Sequence, residues 1–276
     1  MKERVDAFLE KTEFFIKAIK NGEKISCEGC PELREGYWDN ENKINVLAIS
    51  PSFPCQLSCT YCSVPSNARL CKENKEIQEL AKKIDVIDIV KHFEERGLLN
   101  LTEPIQISSG EITIHPKKHE ILGYLSKYPL QIFSNCVIYD EQVAKLIARE
   151  GSFLNVSLDV GTADTYYKVK GLNAFNKVKE TIKKYKKNGG NIEIKYILLE
   201  ENCDMEDLEG FISFCKDIDI RMINISCDIS INHDNLPMRI VDAAIYLANK
   251  AKEIGILYRV LPYFGTKNME YINSKI

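Results

Sequence analysis

The sequence of 276 residues lacks several features that would each indicate a particular class of protein. It has no run of about 18 or more apolar residues, which excludes an ordinary membrane-spanning helix. Its net charge is only −3, so it lacks the basic field that nucleic-acid partners require. Residues 1–21 are charged throughout and lack the apolar core of a signal peptide. We therefore predict a cytoplasmic protein without a membrane segment or a nucleic-acid partner.

The sequence also lacks Pro-, Ser- or Gly-rich linkers, internal repeats and low-complexity tracts. With 45% hydrophobic residues, a chain of this length is able to bury one sizeable core. Cysteine, in contrast, is abundant. Its 10 cysteines without a secretory signal favour a reducing compartment and metal chemistry over disulfide bonds.

Three thiols lie close together in the run Cys55-Gln56-Leu57-Ser58-Cys59-Thr60-Tyr61-Cys62. At the cysteine content of this chain, chance predicts roughly 0.01 occurrences of such spacing, with scattered buried thiols as the alternative interpretation. Thiolates are the soft ligands of iron–sulfur clusters. A zinc site or a closed ferredoxin cluster needs a fourth ligand, yet the next thiol is the distant Cys71. The spacing therefore predicts a metal site with one open coordination position.

From residue 44 onward, β-branched strands alternate with amphipathic helices, after an amphipathic helix over residues 2–20. Alternation of this kind favours a parallel sheet with right-handed crossovers. It does not distinguish a partial barrel from a full barrel or an open doubly wound sheet. The predicted strands cover residues 44–50, 104–108, 130–133, 153–158, 192–199, 222–226 and 256–261. The predicted helices between and after them cover residues 77–96, 117–127, 141–149, 173–187, 205–217 and 237–254.

The CxxxCxxC run, with an aromatic residue before its third cysteine and a predicted strand before the loop, resembles the radical S-adenosylmethionine (SAM) superfamily. The resemblance spans roughly residues 45–230 and implies an α/β fold, a (β/α)6 partial barrel with a short N-terminal helical extension. We expect an extension with a helix and a CxxC loop over residues 1–43, a core barrel over 44–236, and a C-terminal helix, strand and tail over 237–276. Because no cysteine follows Cys227, we expect no C-terminal multi-cluster (SPASM-type) domain.

The resemblance implies that Cys55, Cys59 and Cys62 hold three irons of a [4Fe–4S] cluster and that SAM binds the fourth. An electron from flavodoxin or ferredoxin would then cleave SAM to methionine and a 5′-deoxyadenosyl radical, which abstracts a substrate hydrogen atom. We expect a small-molecule substrate in preference to a peptide. The alternatives are a non-enzymatic iron–sulfur electron carrier or sensor, and a zinc-binding interaction module.

In a parallel barrel the functional groups lie at the carboxyl ends of the strands. Ser109-Gly110-Glu111 follows the second predicted strand and is similar to the family's Gly-Gly-Glu motif, which implies a contact with the amino group of SAM. Ser109 stands in place of the first glycine. The resemblance implies further cofactor contacts from Tyr61, Ser134, Asn135, Ser157, Asp159, Lys168, Lys170 and Leu199. Polar turn residues, solvated lysines and core packing are the alternative interpretations.

Four other cysteines are candidates for chemistry. The CxxC pair Cys27 and Cys30 suits an auxiliary iron–sulfur cluster, another metal or a redox dithiol. A structural or incidental role stays open, because no second nearby pair completes a four-ligand site. Cys136 and Cys227 follow predicted strand ends, where a thiol would be able to return a hydrogen atom to a substrate radical. They are therefore candidate hydrogen-atom donors, with a buried small hydrophobe as the alternative.

Overall fold

The computed structural model of the protein describes residues 2–25, 43–49, 54–62, 85–231 and 235–276. The chain divides into two compact units, Met1–Leu47 with Asp85–Glu103, and Ala48–Ile84 with Pro104–Ile276. The predicted division at residues 43 and 236 stays a prediction. No helix within the described ranges is long and apolar enough to cross a bilayer.

In its described part, the smaller unit contains helix α1 (Lys2–Lys20) and helix α2 (Val86–Glu95). Helix α1 confirms the prediction for residues 2–20. Helix α2 confirms the C-terminal half of the helix predicted before Gly97, and residues 77–84 lie outside the described part of the chain. Asp6 Oδ1 of α1 lies 3.1 Å from Nε2 of His92 in α2, so the two helices contact each other within this unit.

In the larger unit, the described residues form one parallel sheet of seven strands, ordered as in the sequence. The first and last strands are its two edges, so the sheet is not closed. The predicted α/β fold is confirmed, and the strand predicted after the last helix joins the sheet as its seventh member. The strands are β1 (Ala48–Ile49), β2 (Ile105–Ile107), β3 (Leu130–Ser134), β4 (Phe153–Ser157), β5 (Ile192–Leu198), β6 (Met222–Cys227) and β7 (Leu257–Val260).

Helices follow the strands in this unit, and two of them differ from prediction. The sequence predicts neither α5 nor α9. Helix α5 is short and largely polar, and Thr162, whose hydroxyl accepts from the Thr165 N–H, and Gly171 (φ 71°) set its two ends. The helices are α3 (Lys118–Leu125), α4 (Glu141–Ile147), α5 (Ala163–Lys170), α6 (Phe175–Lys187), α7 (Met205–Asp217), α8 (Met238–Glu253) and α9 (Thr266–Asn273).

The two faces of the sheet differ in polarity, as strand β5 shows. Ile192, Ile194 and Leu198 lie on one face and are at most 1% exposed, which stabilises the fold by about 1.5–3 kcal/mol for each side chain. Glu193 and Lys195 occupy the alternate positions and therefore point to the other face. This second face is called the polar face below.

Candidate functional site

The loop that carries the three clustered cysteines follows β1 at the carboxyl edge of the sheet. The Glu111 N–H donates to the Pro54 carbonyl (3.0 Å), which ties the start of the loop to the segment after β2. The Ser58 N–H donates to the Lys170 carbonyl (3.0 Å), which ties the loop to the last turn of α5. A Cβ at Gly171 would lie 3.0 Å from the Ser58 Cβ, so glycine permits this close approach.

Burial controls the protonation of two of these thiols. Burial, with a smaller contribution from the Glu111 carboxylate, raises the pKa of Cys55 to about 11. Burial also raises the pKa of Cys59, whereas the Lys170 ammonium acts in the opposite direction. In the absence of a metal, Cys55 and Cys59 are therefore protonated at neutral pH, and metal binding must release their protons.

The donor set suits an iron–sulfur cluster better than a single metal ion. Among the described residues, no three Cys, His, Asp or Glu side chains converge as the ligands of one ion would. A cluster binds its thiolates through different irons, whereas one zinc ion holds all of its thiolates through bonds of roughly 2.3 Å. The thiolates of a cluster therefore lie further apart from one another. The Tyr166 hydroxyl is buried and has no hydrogen-bond partner in the described structure. Burial and the nearby charge of Cys59 raise the pKa of Tyr166, and a cluster sulfur would be a suitable acceptor for this hydroxyl.

A hydrogen-bonded triad of Tyr61, Asp159 and Lys170 holds the cysteine loop against the end of β4. The Tyr61 hydroxyl donates to Asp159 Oδ2 (2.5 Å), and Lys170 Nζ donates to that hydroxyl (2.7 Å) and to Asp159. Asp159 Oδ1 also accepts from the Ile197 N–H (2.8 Å). Both charged side chains are fully buried. Burial alone would lower the pKa of Lys170, but the Asp159 carboxylate together with the Cys59 and Cys55 thiols outweighs it and raises that pKa.

A second buried network joins the ends of β2 and β3. The fully buried Glu111 carboxylate accepts hydrogen bonds from the Thr113 hydroxyl (2.8 Å), the Ser134 hydroxyl (3.0 Å) and the Asn135 N–H (2.8 Å). Burial raises the pKa of Glu111, and these donors partly offset the effect. The Asn135 amide donates in turn to Cys55 Sγ at 3.6 Å. The network thus links the Ser-Gly-Glu segment to one of the three loop thiols.

The Ser-Gly-Glu segment begins with two left-handed residues, Ser109 (φ 65°) and Gly110 (φ 84°). A side chain in this conformation costs roughly 1–2 kcal/mol. We expect Ser109→Gly to stabilise the apo protein by about 0.5–1 kcal/mol. The reason is that the relief of backbone strain in the folded state exceeds the cost of the extra conformational entropy that glycine gives the unfolded chain. Urea unfolding measures the change. Ser126→Gly, at a right-handed position (φ −59°), is the matched control and should destabilise; equal effects of the two changes would contradict the explanation.

The other predicted cofactor contacts differ in exposure. Lys168 lies on α5 and is exposed, whereas Ser157 is half-buried at the end of β4. Leu199 is buried after β5, and its N–H donates to Asn202 Oδ1 (2.7 Å). The Asn202 amide then donates to the Asp159 carbonyl (2.7 Å), which fixes the two loops after β4 and β5 to each other. The functional roles of these side chains stay predictions.

The other four candidate cysteines are either buried or outside the described residues. Cys136 is fully buried, with φ of 56°. The Cys227 S–H donates to the Tyr263 carbonyl (3.0 Å). Cys27 and Cys30 lie outside the described residues. The proposed donor roles of Cys136 and Cys227 and the auxiliary metal site therefore stay predictions.

Two charged groups near the site were not predicted from the sequence. Asp207 of α7 accepts hydrogen bonds from the Gly161 N–H (2.9 Å) and the Tyr196 hydroxyl (2.9 Å), and so fixes the loop after β4. Lys195 lies in the middle of β5 on the polar face. The alternation of Glu193 and Lys195 within an otherwise apolar strand is the sequence signal that reveals the second group.

Curated proteins similar to this chain include GTP 3′,8-cyclases. The protein of Clostridium acetobutylicum is 26% identical over 190 residues, which cover 66% of this chain and 56% of the relative. The protein of Petrotoga mobilis is 26% identical over 187 residues, which cover 65% of this chain and 55% of the relative. The chain therefore spans about half the length of the curated relatives it matches.

Solved structures share the fold of this chain. Streptococcus suis SuiB bound to S-adenosylmethionine gives a TM-score of 0.59 at 16% identity, and the match covers 91% of this chain and 60% of that one. Native anSMEcpe with bound AdoMet gives a TM-score of 0.57 at 14% identity, with 78% and 63% covered. At these identities the likeness establishes the fold.

The family model of the Radical SAM superfamily matches residues 49–215, which is more than half of the chain. The match runs from β1 through the cysteine loop to α7 and includes both buried networks. The superfamily consists of enzymes that use a [4Fe–4S] cluster and SAM, so these predicted cofactors, and an enzyme in preference to a carrier or sensor, are confirmed at the level of the family. From its sequence match and its fold together, this chain belongs to the radical SAM superfamily.

Proposed function

We propose that the protein is a radical SAM enzyme in which Cys55, Cys59 and Cys62 hold three irons of a [4Fe–4S] cluster and leave the fourth to SAM. The observation that supports this most strongly is the placement of three thiols in one loop at the carboxyl edge of the sheet. The Lys170 carbonyl at the end of α5 and the Asn135 amide after β3 hold that loop by hydrogen bonds from two sides. A loop held from two sides keeps its ligands arranged before the cluster assembles.

When bound, the cluster and SAM supply a 5′-deoxyadenosyl radical, formed with methionine by reductive cleavage of SAM, which abstracts a hydrogen atom from the substrate. The chain itself binds, orients and shields these groups. Asp159 and Lys170 hold the Tyr61 hydroxyl by hydrogen bonds, which restricts the side-chain conformation of this tyrosine next to Cys62. Because that carboxylate and that ammonium neutralise each other, the triad adds no net charge to the site.

The proposed SAM contacts divide into two groups by the hydrogen bonds they already make. Glu111, Asp159 and Lys170 are committed to protein partners, so we assign them to holding the loop. The Ser157 hydroxyl has no hydrogen bond to any described residue, so it is available to a cofactor hydroxyl or carboxylate. The side chains of Tyr61, Ser134 and Asn135 are also hydrogen-bonded to protein partners. The other proposed contacts are Ser109, Gly110, Lys168 and Leu199.

For the substrate, a small molecule is the proposal that the sequence relatives support, because those relatives are GTP 3′,8-cyclases. One SuiB structure holds the precursor peptide SuiA, but its identity to this chain is 14%, which supports the fold alone. We propose flavodoxin or ferredoxin as the electron donor. The absence of a nucleic-acid partner stays a prediction.

Formation of 5′-deoxyadenosine tests the proposed function. The protein is reconstituted anaerobically with iron and sulfide, then given a reductant and SAM without substrate. We expect methionine and 5′-deoxyadenosine only when protein, reductant and SAM are all present. A complete, reducible cluster that neither binds SAM nor forms this product would contradict the proposal.

The hydrogen bond from Asn135 to Cys55 predicts a change in reduction potential. Donors to cluster sulfurs stabilise the more negative, reduced cluster. We expect Asn135→Leu to lower the potential by on the order of 40 mV, the equivalent of about 1 kcal/mol for one electron. An anaerobic redox titration followed by electron paramagnetic resonance measures the shift.

Gln56→Met is the matched control for this experiment. Gln56 also contacts the Asn135 side chain, donating to Asn135 Oδ1 at 3.1 Å, but its loss leaves the bond to Cys55 in place. Its potential should therefore equal that of the wild type. If both variants shift the potential equally, a general disturbance of the loop explains the result and the bond to sulfur does not.

A further inference from the structure

The polar face of the sheet carries a row of side chains that the cluster chemistry does not use. Direct register partners run across four strands, from Ser157 to Lys195, then to Asn224 and to Arg259. Register partners in a parallel sheet point to the same side, so all four side chains lie on the polar face. The row thus carries two cations, one on each side of Asn224.

Neither cation has a protein partner in the described part of the chain, where Lys195 and Arg259 make no hydrogen bond or ion pair. The nearby carboxylates are already committed. Glu193 accepts from the Asn224 amide (3.0 Å) and lies 3.8 Å from Arg221. Asp159 is paired with Lys170.

An unpaired ammonium at this position is energetically costly without a ligand. Lys195 is partly buried, and burial lowers its pKa even though the Asp159 carboxylate acts to raise it. Transfer of a charge from water to a protein interior is unfavourable unless a counter-charge accompanies it. A bound anion would supply that counter-charge.

We propose that Lys195 and Arg259 form a binding subsite for an anionic group of the substrate, a carboxylate or a phosphate. This inference rests on the proposed function. The two residues lie two strand spacings apart, roughly 10 Å between backbones, so their long side chains are able to converge on one anion. Arginine binds both anions through two parallel hydrogen bonds, and lysine adds a point charge.

The row also separates the substrate anion from the carboxylate of SAM. The cysteine loop is tied to the segment after β2 and to α5, and Ser157 on β4 is the member of the row nearest to those contacts. Arg259 on β7 lies three strand spacings further along the sheet, roughly 14 Å away. A ligand shared by Lys195 and Arg259 therefore lies beyond Ser157, the member of the row that is proposed to hold SAM.

Inorganic phosphate and acetate are the probes for this subsite. Each is titrated into the oxidised, SAM-saturated holoenzyme at constant ionic strength, and binding is followed by the ³¹P or ¹³C line width of the probe. We expect saturable binding of at least one anion, weakened about tenfold or more by Lys195→Met and by Arg259→Met. Lys216→Met, which removes an exposed lysine from α7, is the matched control and should bind like the wild type.

The outcomes distinguish the sources of the anion. Binding of phosphate alone assigns a phosphate ester, and binding of acetate assigns a carboxylate. Absence of saturable binding, or equal affinities of the Lys195 and Lys216 variants, would overturn the subsite. A loss of SAM affinity in Lys195→Met but not in Arg259→Met would also overturn it, because Lys195 would then contact SAM. Formation of 5′-deoxyadenosine by the wild type is measured separately, so failure of the subsite and failure of the proposed function remain distinct.

Discussion

Cys59→Ala is expected to remove the cluster and to reduce 5′-deoxyadenosine formation to the level without protein. Of the three loop cysteines, Cys59 is the most buried, at 8% exposure. Its carbonyl accepts from the Cys62 N–H (3.2 Å), so two of the ligands belong to one turn. A methyl group at this position leaves one iron without a protein ligand, and the buried site gives water little room to replace the thiolate.

Iron and acid-labile sulfide per chain, together with chromatographic measurement of 5′-deoxyadenosine, check this result. Cys215→Ala is the matched control, because Cys215 is fully buried in α7 and lies outside the loop. We expect it to keep a normal cluster and to lose only about 1 kcal/mol of stability from the small cavity.

Two other outcomes of the Cys59→Ala experiment are informative. A variant with full cluster content and wild-type product formation would contradict the assignment of this thiol as a ligand. Iron that remains in a variant unable to form 5′-deoxyadenosine would indicate a second site, for which Cys27 and Cys30 are the predicted ligands. Additional alanine changes at those two positions would then remove the residual iron.

The cysteine loop and the positions of most strands along the chain are predictable from the sequence because both depend on local signals. The spacing of Cys55, Cys59 and Cys62 is a pattern within one loop. The strands after residue 100 consist of short apolar runs bounded by turn residues. The parallel sheet then follows, because alternating strands and helices leave few other topologies.

Helix α5 shows where such signals are insufficient. Lys168 and Lys170 look alike in the sequence, but the first is exposed and the second is fully buried. Residues two apart lie on nearly opposite sides of a helix, whereas Tyr166 and Lys170, four apart, share one side. Without a predicted helix over Ala163–Lys170, nothing in the sequence separates the two lysines.

The sequence also does not predict the hydrogen bonds that Glu111 and Asp159 make. Both carboxylates follow strands, as the resemblance to the family predicts, yet their hydrogen bonds join segments that lie far apart in the chain. Asp159 meets Tyr61 across 98 positions, and Glu111 meets Asn135 across 24. Sequence patterns report on residues that are close together in the chain, whereas these long-range contacts form only once the strands have assembled.

Lys170→Met is expected to destabilise the apo protein by about 3–5 kcal/mol, because it leaves the Asp159 carboxylate buried without its cation. Methionine has a similar length and preserves the Lys170 carbonyl that accepts from the Ser58 N–H. The urea midpoint should fall at an unchanged slope. In the holoenzyme, the loosened Tyr61 hydroxyl should also accelerate cluster loss under chelator.

The matched control is Lys118→Met, which breaks an ion pair with Asp140 at 2.5 Å. Lys118 is 22% exposed, whereas Lys170 is 1% exposed. Asp140 is itself 6% exposed, but its carboxylate keeps hydrogen bonds from the Gln142 and Val143 N–H groups, so the control should cost less, about 1–2 kcal/mol. The difference between the two variants isolates the effect of complete burial from the effect of losing one lysine.

A double variant tests whether charge is the cause. Lys170→Met with Asp159→Asn removes both charges and keeps an oxygen that accepts from the Ile197 N–H. We expect it to be more stable than the sum of the two single changes predicts, by about 1–3 kcal/mol. Strict additivity would mean that Lys170 acts through packing alone. Recovery of stability with continued rapid cluster loss would instead show that the Tyr61–Asp159–Lys170 triad fixes the cysteine loop through its hydrogen bonds, independently of its contribution to folding.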